Sequence, residues 1–343
     1  MWFGWYSAIM GLSSLLEFTE KGIYVPKGDF YIDPIKKVKQ AVITHGHSDH
    51  ARSGNIKYLC TDLTKPVLKL RLGSKINVQS LAFGESFFIN GVKLSFHPAG
   101  HLPGSAQVRV EYKGHIAVIS GDYKLEKDGL AEAFEPVFCH EFVTESTFAL
   151  PIYQWQAQEK IIADIFTWWQ QNQSEKKASI ISAYPLGKSQ RLISALYKYS
   201  PYITCHPSIE NTNIALRNAG VDIPILDDLF SITKNESHRY LVLTPTIISQ
   251  GLWLQNFPHY ELADASGWMA TKQGRKRSTA HRHFTLSDHA DWPSLNQAVL
   301  ASQAETVFVT HGFSDDFARH LKEQKINAQS IDHFFTRERI EQE

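Results

Sequence analysis

The chain carries Thr44-His45-Gly46-His47-Ser48-Asp49-His50, a His-x-His-x-Asp-His run that sets three imidazoles and one carboxylate within six residues. Imidazole with carboxylate, and no thiolate, suits Zn²⁺ or Mn²⁺, and it suits catalysis because such sites often leave a position open for water. The run follows Ala41-Val42-Ile43, which reads as a buried strand bounded by a sharp turn. Alternate residues of an extended segment face the same way, so His45 and His47 are expected to converge on one ion. Asp49 and His50 lie beyond the turn and are expected to reach a second.

Further residues take their meaning from that run. His101, in Pro98-Ala99-Gly100-His101-Leu102-Pro103, sits on a Gly- and Pro-flanked loop after a strand and supplies a third imidazole for the first ion. The strand Ile116–Ser120 delivers Gly121-Asp122, and a strand-end carboxylate is suited to bridge two cations about 3.5–4 Å apart. A further strand, Glu141–Thr144, ends at Glu145. Near the other end of the chain, Ser287-Asp288-His289 precedes a helix over 293–303. The strand Thr306–Val309 then ends in Thr310-His311-Gly312, repeating the strand-then-His placement of His45.

Two stretches suit phosphate. Ala265-Ser266-Gly267-Trp268 leads into Lys272-Gln273-Gly274-Arg275-Lys276-Arg277, and with Arg282 this makes five positive charges in eleven residues. We read Ser266, Gly267, Lys272, Arg275, Lys276 and Arg277 as a loop that binds substrate along its phosphate backbone. The second stretch runs from Tyr184 to Arg191. Gly187-Lys188-Ser189 fits a nucleotide-binding P-loop, but Ser182 stands where its first Gly belongs, which argues against an ATP site. What survives is a helix start whose amides, with Lys188, make a phosphate contact.

These residues need strands and helices to hold them. Apolar Ile161, Ile162, Ile165, Trp168 and Trp169 place a helix within 154–173. Asn90-Gly91 marks a hairpin between Glu85–Ile89 and Val92–His97. From about 151 to 280, strand and helix alternate as in a small α/β insertion. Lys plus Arg and Asp plus Glu both total 35, so no global basic field exists and a nucleic-acid partner must be held by a local patch. Cys60, Cys139 and Cys205 lie far apart, which argues against a disulfide framework and fits a reducing cytoplasm. Met1 to Leu16 is apolar but lacks a basic start and falls short of the roughly 20 residues of a membrane span. No membrane association is expected, and Met10 is a candidate natural start.

Taken together, His-x-His-x-Asp-His, Gly100-His101, Gly121-Asp122, Glu145, Ser287-Asp288-His289 and Thr310-His311-Gly312 resemble the β-CASP nuclease branch of the metallo-β-lactamase superfamily. Gly28-Asp29-Phe30-Tyr31-Ile32-Asp33-Pro34, Ala265 to Met269 and Ser287 to Trp292 are similar to the bacterial ligase-associated DNA exonuclease family. The resemblance implies an α/β fold: a four-layer αβ/βα sandwich from residues 10–150 and 285–343, with a β-CASP α/β domain inserted over 151–284. It implies two divalent ions, zinc first and manganese second. His45, His47 and His101 would hold one, Asp49, His50 and His311 the other, with Asp122 bridging. Asp49, His289 and Glu145 are the implied catalytic residues, with His289, oriented by Glu145, protonating the leaving oxygen. The implied activity is DNA exonuclease in repair, in functional association with a DNA ligase and a helicase. RNA-directed members usually carry His at the position of His311, so an RNA-processing ribonuclease is the second reading. A small-molecule metallo-hydrolase is the third, and it leaves the basic run and the insertion without a purpose.

Overall fold

The computed structural model describes residues 14–245 and 251–335, so Met10 lies outside the described residues. Among these, strands form three sheets. The first has six strands in sequence order: β1 (Glu17–Thr19), β2 (Gly22–Val25), β3 (Phe30–Ile32), β4 (Gln40–Val42), β5 (Lys57–Thr61) and β6 (Val78–Leu81). Its strands run antiparallel from β1 to β3 and parallel from β3 to β6.

The second sheet contains β7 (Phe87–Ile89), β8 (Val92–Pro98), β9 (Ala106–Tyr112), β10 (His115–Ile119), β11 (Glu141–Ser146), β17 (Thr306–Gly312) and β18 (Ala328–Ser330). Their order is β18-β17-β11-β10-β9-β8-β7. Asn90 and Gly91 join β7 to β8 with φ of 49° and 82°, the two positive values that a tight hairpin of matching twist requires. The β10, β11, β17 and β18 run is parallel, so β11 reaches β17 only after the chain has built everything between them.

That intervening chain forms the third sheet, all parallel, with β12 (Ala178–Ser182), β13 (Ile203–Cys205), β14 (Leu241–Thr244), β15 (Tyr260–Ala265) and β16 (Arg282–Phe284) in the order β13-β14-β12-β15-β16. Helices α2 (Gln158–Ser174), α3 (Lys188–Leu196), α4 (Pro207–Asn218) and α5 (Lys272–Arg277) accompany it. The apolar periodicity of α2 does what it predicts: Ile161, Ile162, Ile165, Trp168 and Trp169 are all buried.

The first two sheets share a core. Phe30, Ile32 and Val42 of one meet Phe96, Val108, Val110 and Ile119 of the other. On the outer face of the second sheet, α6 (Trp292–Ser302) and α7 (Ser314–Glu323) bury Leu295, Val299, Phe317 and Leu321 against Val118, Phe142, Val307 and Val309. On the outer face of the first, α1 (Thr64–Leu72) buries Leu68 against Ala41, Ile43 and Cys60. Helix α1 begins before Pro66 because proline is tolerated in a first turn, where its missing N–H has no partner to lose.

Three local expectations are corrected. His45 and His47 are not on an extended strand: β4 ends at Val42 and the motif is a loop, so backbone turns rather than strand alternation bring the imidazoles together. Glu145 and His311 lie within β11 and β17, next to a register shift between Thr144 and Ser146. The basic stretch is helix α5 and not a loop; Thr271 caps it, its Oγ1 accepting from Gly274 N at 3.0 Å.

Candidate active site

The parallel strands of the first two sheets place the candidate residues at one end. The loop after β4 carries His45 to His50, the turn after β10 carries Asp122, and the ends of β11 and β17 hold Glu145 and His311. This is the carboxyl-end crevice that parallel sheets ordinarily offer to ligands. His101 joins them from the loop between β8 and β9.

Two clusters result. In the first, His47 Nδ1 lies 3.2 Å from His45 Nε2 and 3.1 Å from His101 Nε2. Asp122 Oδ2 lies 3.4 Å from His45 Nε2 and 3.9 Å from His101 Nε2. In the second, Asp49 Oδ2 lies 3.3 Å from His50 Nε2 and 3.4 Å from His311 Nε2. Asp122 turns its other oxygen, Oδ1, toward His50 Nε2 at 3.3 Å. One carboxylate therefore faces both clusters.

Each of the five imidazoles is fixed from behind. His47 Nε2 donates to Leu186 O at 3.0 Å, and His101 Nδ1 donates to Asp288 O at 2.9 Å. His50 Nδ1 donates to Asp33 Oδ2 at 2.7 Å. The Thr44 hydroxyl donates to Asp33 and so accepts from His45 Nδ1 at 3.1 Å; the Thr147 hydroxyl donates to Glu145 and so accepts from His311 Nδ1 at 3.0 Å. With the outer nitrogens engaged, each ring presents its inner nitrogen to the cluster. That is how second partners orient metal-ligating histidines and set their tautomers.

The electrostatics split between the clusters. Burial lowers His45 and His101, and it brings His47 down to about 4, so these rings favour the neutral form that ligates. Burial also opposes a charge on His50, but Asp122, Asp49 and Asp33 outweigh it and hold its pKa well above the usual imidazole range. Asp49 and Asp122 stay well below the usual carboxylate range despite burial, with His50 the main opposing influence on each. The second cluster therefore calls for positive charge.

The donors fit divalent cations. His45, His47, His101 and Asp122 offer ligand atoms all within 4.8 Å of one another, as do Asp49, His50 and His311. Among the described residues, the buried Nε2 of His50 and Oδ1 of Asp122 have no hydrogen-bond partner, although buried polar atoms are almost always paired. Imidazoles and carboxylates without sulfur suit zinc or manganese chemistry.

Beside these clusters, His289 Nδ1 donates to Glu145 Oε2 at 2.8 Å. Glu145 is held in turn by Tyr123 N at 2.8 Å and the Thr147 hydroxyl at 2.5 Å. The His289 ring is 4.7 Å from that of His101, centre to centre. Asp122, Glu145 and His289 also lie close enough to form a third potential ligand group.

The substrate candidates divide. Lys188, at the start of α3, lies 4.0 Å from Asp288 Oδ2 and so reaches the site. Gly267 packs so closely on Phe148 and Ser287 that a Cβ there would come within 2.5 Å of the Phe148 ring, which itself lies 5.9 Å from the ring of His289. Ser266 caps that turn, its Oγ accepting from Trp268 N. Lys272, Lys276 and Arg277 are exposed on α5, as is Arg275, whose Nε donates to Met269 O at 2.7 Å. Helix α5 packs on the Gly267–Ala270 turn.

Sequence reasoning missed several residues that matter here. Asp33 anchors His50 and Thr44, and its place at the end of β3 is the strand-end acid signal already used for Asp122. Thr147 links His311 to Glu145. Arg71 of α1 donates to Gly46 O at 2.5 Å, between His45 and His47. Arg191 of α3 grips the Ser287-Asp288 peptide. The last two have no local signal, because only the tertiary fold brings α1 and α3 to this end.

No family model matches the chain. It is 27% identical to a protein named as a probable DNA ligase from Opitutus terrae, over 90% of this chain and 30% of that one. It is 27% identical to the cleavage and polyadenylation specificity factor subunit 3-I of Arabidopsis thaliana, over 62% of this chain and 33% of the relative. The DNA cross-link repair protein SNM1 of Arabidopsis thaliana is 24% identical over 43% of this chain and 32% of its own length. Among solved structures, a protein of unknown function from Enterococcus faecalis V583 superposes with a TM-score of 0.57 over 84% of this chain and 78% of that one, at 12% identity, a likeness of fold. The chain spans about a third of the length of the curated relatives it matches.

Proposed function

We propose that this protein is a two-metal phosphodiesterase acting on nucleic acid, and a DNA exonuclease of repair in particular. The observation that carries the reading is the Glu145–His289 pair, 2.8 Å apart and set against a His/Asp double cluster that shares Asp122. A hydrolase of small esters needs the clusters but not a separate proton donor of this kind. DNA is favoured because the probable DNA ligase relative matches nine-tenths of the chain. In this reading the nuclease works in the cytoplasm, where three buried free cysteines keep their thiols, and in concert with a ligase.

The fold supports the same reading. The helix-covered pair of sheets is what an αβ/βα sandwich requires, and in this reading residues 151–284 are an inserted domain that offers α5 and Lys188 to phosphates. His45, His47 and His101 would hold one divalent ion, Asp49, His50 and His311 another, with Asp122 shared. Zinc is the first candidate and manganese the second. Held there, such ions supply Lewis-acid stabilisation of charge on the phosphorus oxygens and make water more acidic.

The chain's own groups do the rest. Asp33, Thr44, Thr147, Leu186 and Asp288 hold the imidazoles in register through the bonds described above. Glu145 accepts from His289 Nδ1, which leaves Nε2 to deliver a proton to the departing sugar oxygen. Thr147 and Tyr123 N keep Glu145 from turning away.

The test is digestion of end-labelled DNA and RNA of matched sequence with zinc or manganese present. The expected result is progressive shortening of DNA, lost in His47→Ala. No product from either polymer would overturn the proposal. Cutting of RNA alone would favour the second reading, an RNA-processing ribonuclease, which the cleavage and polyadenylation relative supports together with His311.

A further inference from the structure

Arg191 belongs to α3, in the third-sheet region, yet its side chain is only 2% exposed and reaches out of that region. Nη1 donates to Ser287 O at 2.6 Å and to Asp288 Oδ1 at 3.1 Å. Its Nε donates to Gln158 Oε1 on α2, and Asp128 Oδ2 lies 3.8 Å away. So buried a guanidinium cannot track a nucleic-acid backbone, and neither His/Asp cluster uses it. Burying it is costly unless its planar donor fork is met on several sides, which is the case here.

The peptide it grips leads in two directions. Asp288 O holds His101 Nδ1 at 2.9 Å. Ser287 Oγ accepts from His289 N at 3.1 Å, and the next imidazole meets Glu145. The backbone of His289 is tied on its far side, where its carbonyl accepts from Trp155 Nε1 at 2.9 Å and Ala290 N donates to Tyr123 O at 2.6 Å. On the near side Arg191 bonds both the Ser287 carbonyl and the Asp288 carboxylate, whereas Lys188 Nζ stands 4.0 Å from that carboxylate.

We propose that Arg191 is a positioning residue for His289: by clamping Ser287-Asp288 it holds the imidazole against Glu145, so the inserted region sets the geometry of proton delivery. This rests on the reading of His289 as proton donor. A misplacement of about 1 Å at such a group costs up to about 10²-fold in rate.

The test compares Arg191→Met, Arg191→Lys, His289→Asn and the double variant Arg191→Met/His289→Asn in the full chain. Each is assayed on DNA and on a nitrophenyl phosphodiester, whose leaving group needs no proton. Expected is a kcat loss of about 10–10²-fold on DNA for Arg191→Met with KM nearly unchanged, a much smaller loss on the nitrophenyl ester, and partial recovery in Arg191→Lys. Both metal ions should remain, and the double variant should be no slower than His289→Asn alone. Multiplying losses in the double variant, or equal losses on both substrates, would overturn the positioning role. Loss of a metal ion would also overturn it, since Arg191 would then act through His101. If Arg191→Met does not fold, Arg191→Lys and Asp288→Asn carry the same comparison. A His289→Asn enzyme as fast as wild type on DNA would remove the proton-donor reading itself. Multiplying losses would leave that reading standing.

Discussion

At the scale of single residues, the centre separates groups that hold charge from groups that hold those groups. His289 is the sharpest case, because it lies close enough to Asp122 and Glu145 to be a ligand and is paired well enough with Glu145 to be an acid. Its Asn variant is expected to keep both ions and lose about 10²–10⁴ in turnover on DNA, while recovering most of that on a nitrophenyl phosphodiester. Glu145→Gln should give a milder loss of the same kind. Metal analysis alongside the kinetics decides: an ion lost from His289→Asn makes it a ligand. Asp33 belongs to the other class. With Asp33→Ala, His50 loses its 2.7 Å partner, and retention of the second ion against a chelator should weaken about 10–100-fold. Equal retention in the two proteins would reduce Asp33 to packing. The histidines and acids facing the clusters were legible because their types are rare and their spacing dense. Asp33, Thr147 and Arg191 were not, because an acid, a threonine or an arginine acquires such a role only from what folding sets beside it.

At the scale of elements, the sequence marked most strands and helices through apolar period and turn chemistry, the Asn90-Gly91 hairpin among them. It failed where tertiary contact decides the local form. The basic stretch reads as a loop by composition, but it folds as α5 because Thr271 caps it and Gly274 lets it sit on the turn before it, where a Cβ would meet Trp268 O at 2.0 Å. A helix displays its cations on a surface rather than along a flexible strand. Lys272, Lys276 and Arg277 have no ion pair among the described residues, and in the proposed reading they meet phosphates, whereas Arg275 is partly committed to Met269 O. Neutralising Lys276 and Arg277 together should weaken DNA binding and flatten its salt dependence, by about 0.7 in slope for each contact to a single strand. Turnover at saturation should hardly change. Binding titrations from low to moderate salt measure this, and an unchanged slope would leave α5 as an ordinary solvated helix.

At the scale of the whole molecule, the question is whether residues 151–284 are a removable attachment. Their own sheet and their own apolar cluster around Ile180, Val242, Trp253 and Phe257 suggest so. The packing says otherwise. Val67 of α1 and Leu102 of the His101 loop belong to the same buried cluster as Ile181, Leu186 and Leu192 of the third-sheet region. Leu186 also supplies the carbonyl that orients His47, and its side chain sits where a Cβ on Gly46 would come within 3.2 Å. Arg191 reaches Ser287 and Asp288 from α3, which begins just after Leu186. Excising 151–284 and closing the gap with a short linker would therefore strip partners from His47 and the His289 turn, and expose Val67 and Leu102. The expected outcome is a core that melts lower, holds fewer than two ions per chain after dialysis and cannot cleave even a nitrophenyl phosphodiester. Metal analysis and a thermal melt read the first two directly. A trimmed core that kept two ions and cleaved that ester would make the third-sheet region a substrate rail alone, and the contacts of Leu186 and Arg191 incidental to the chemistry.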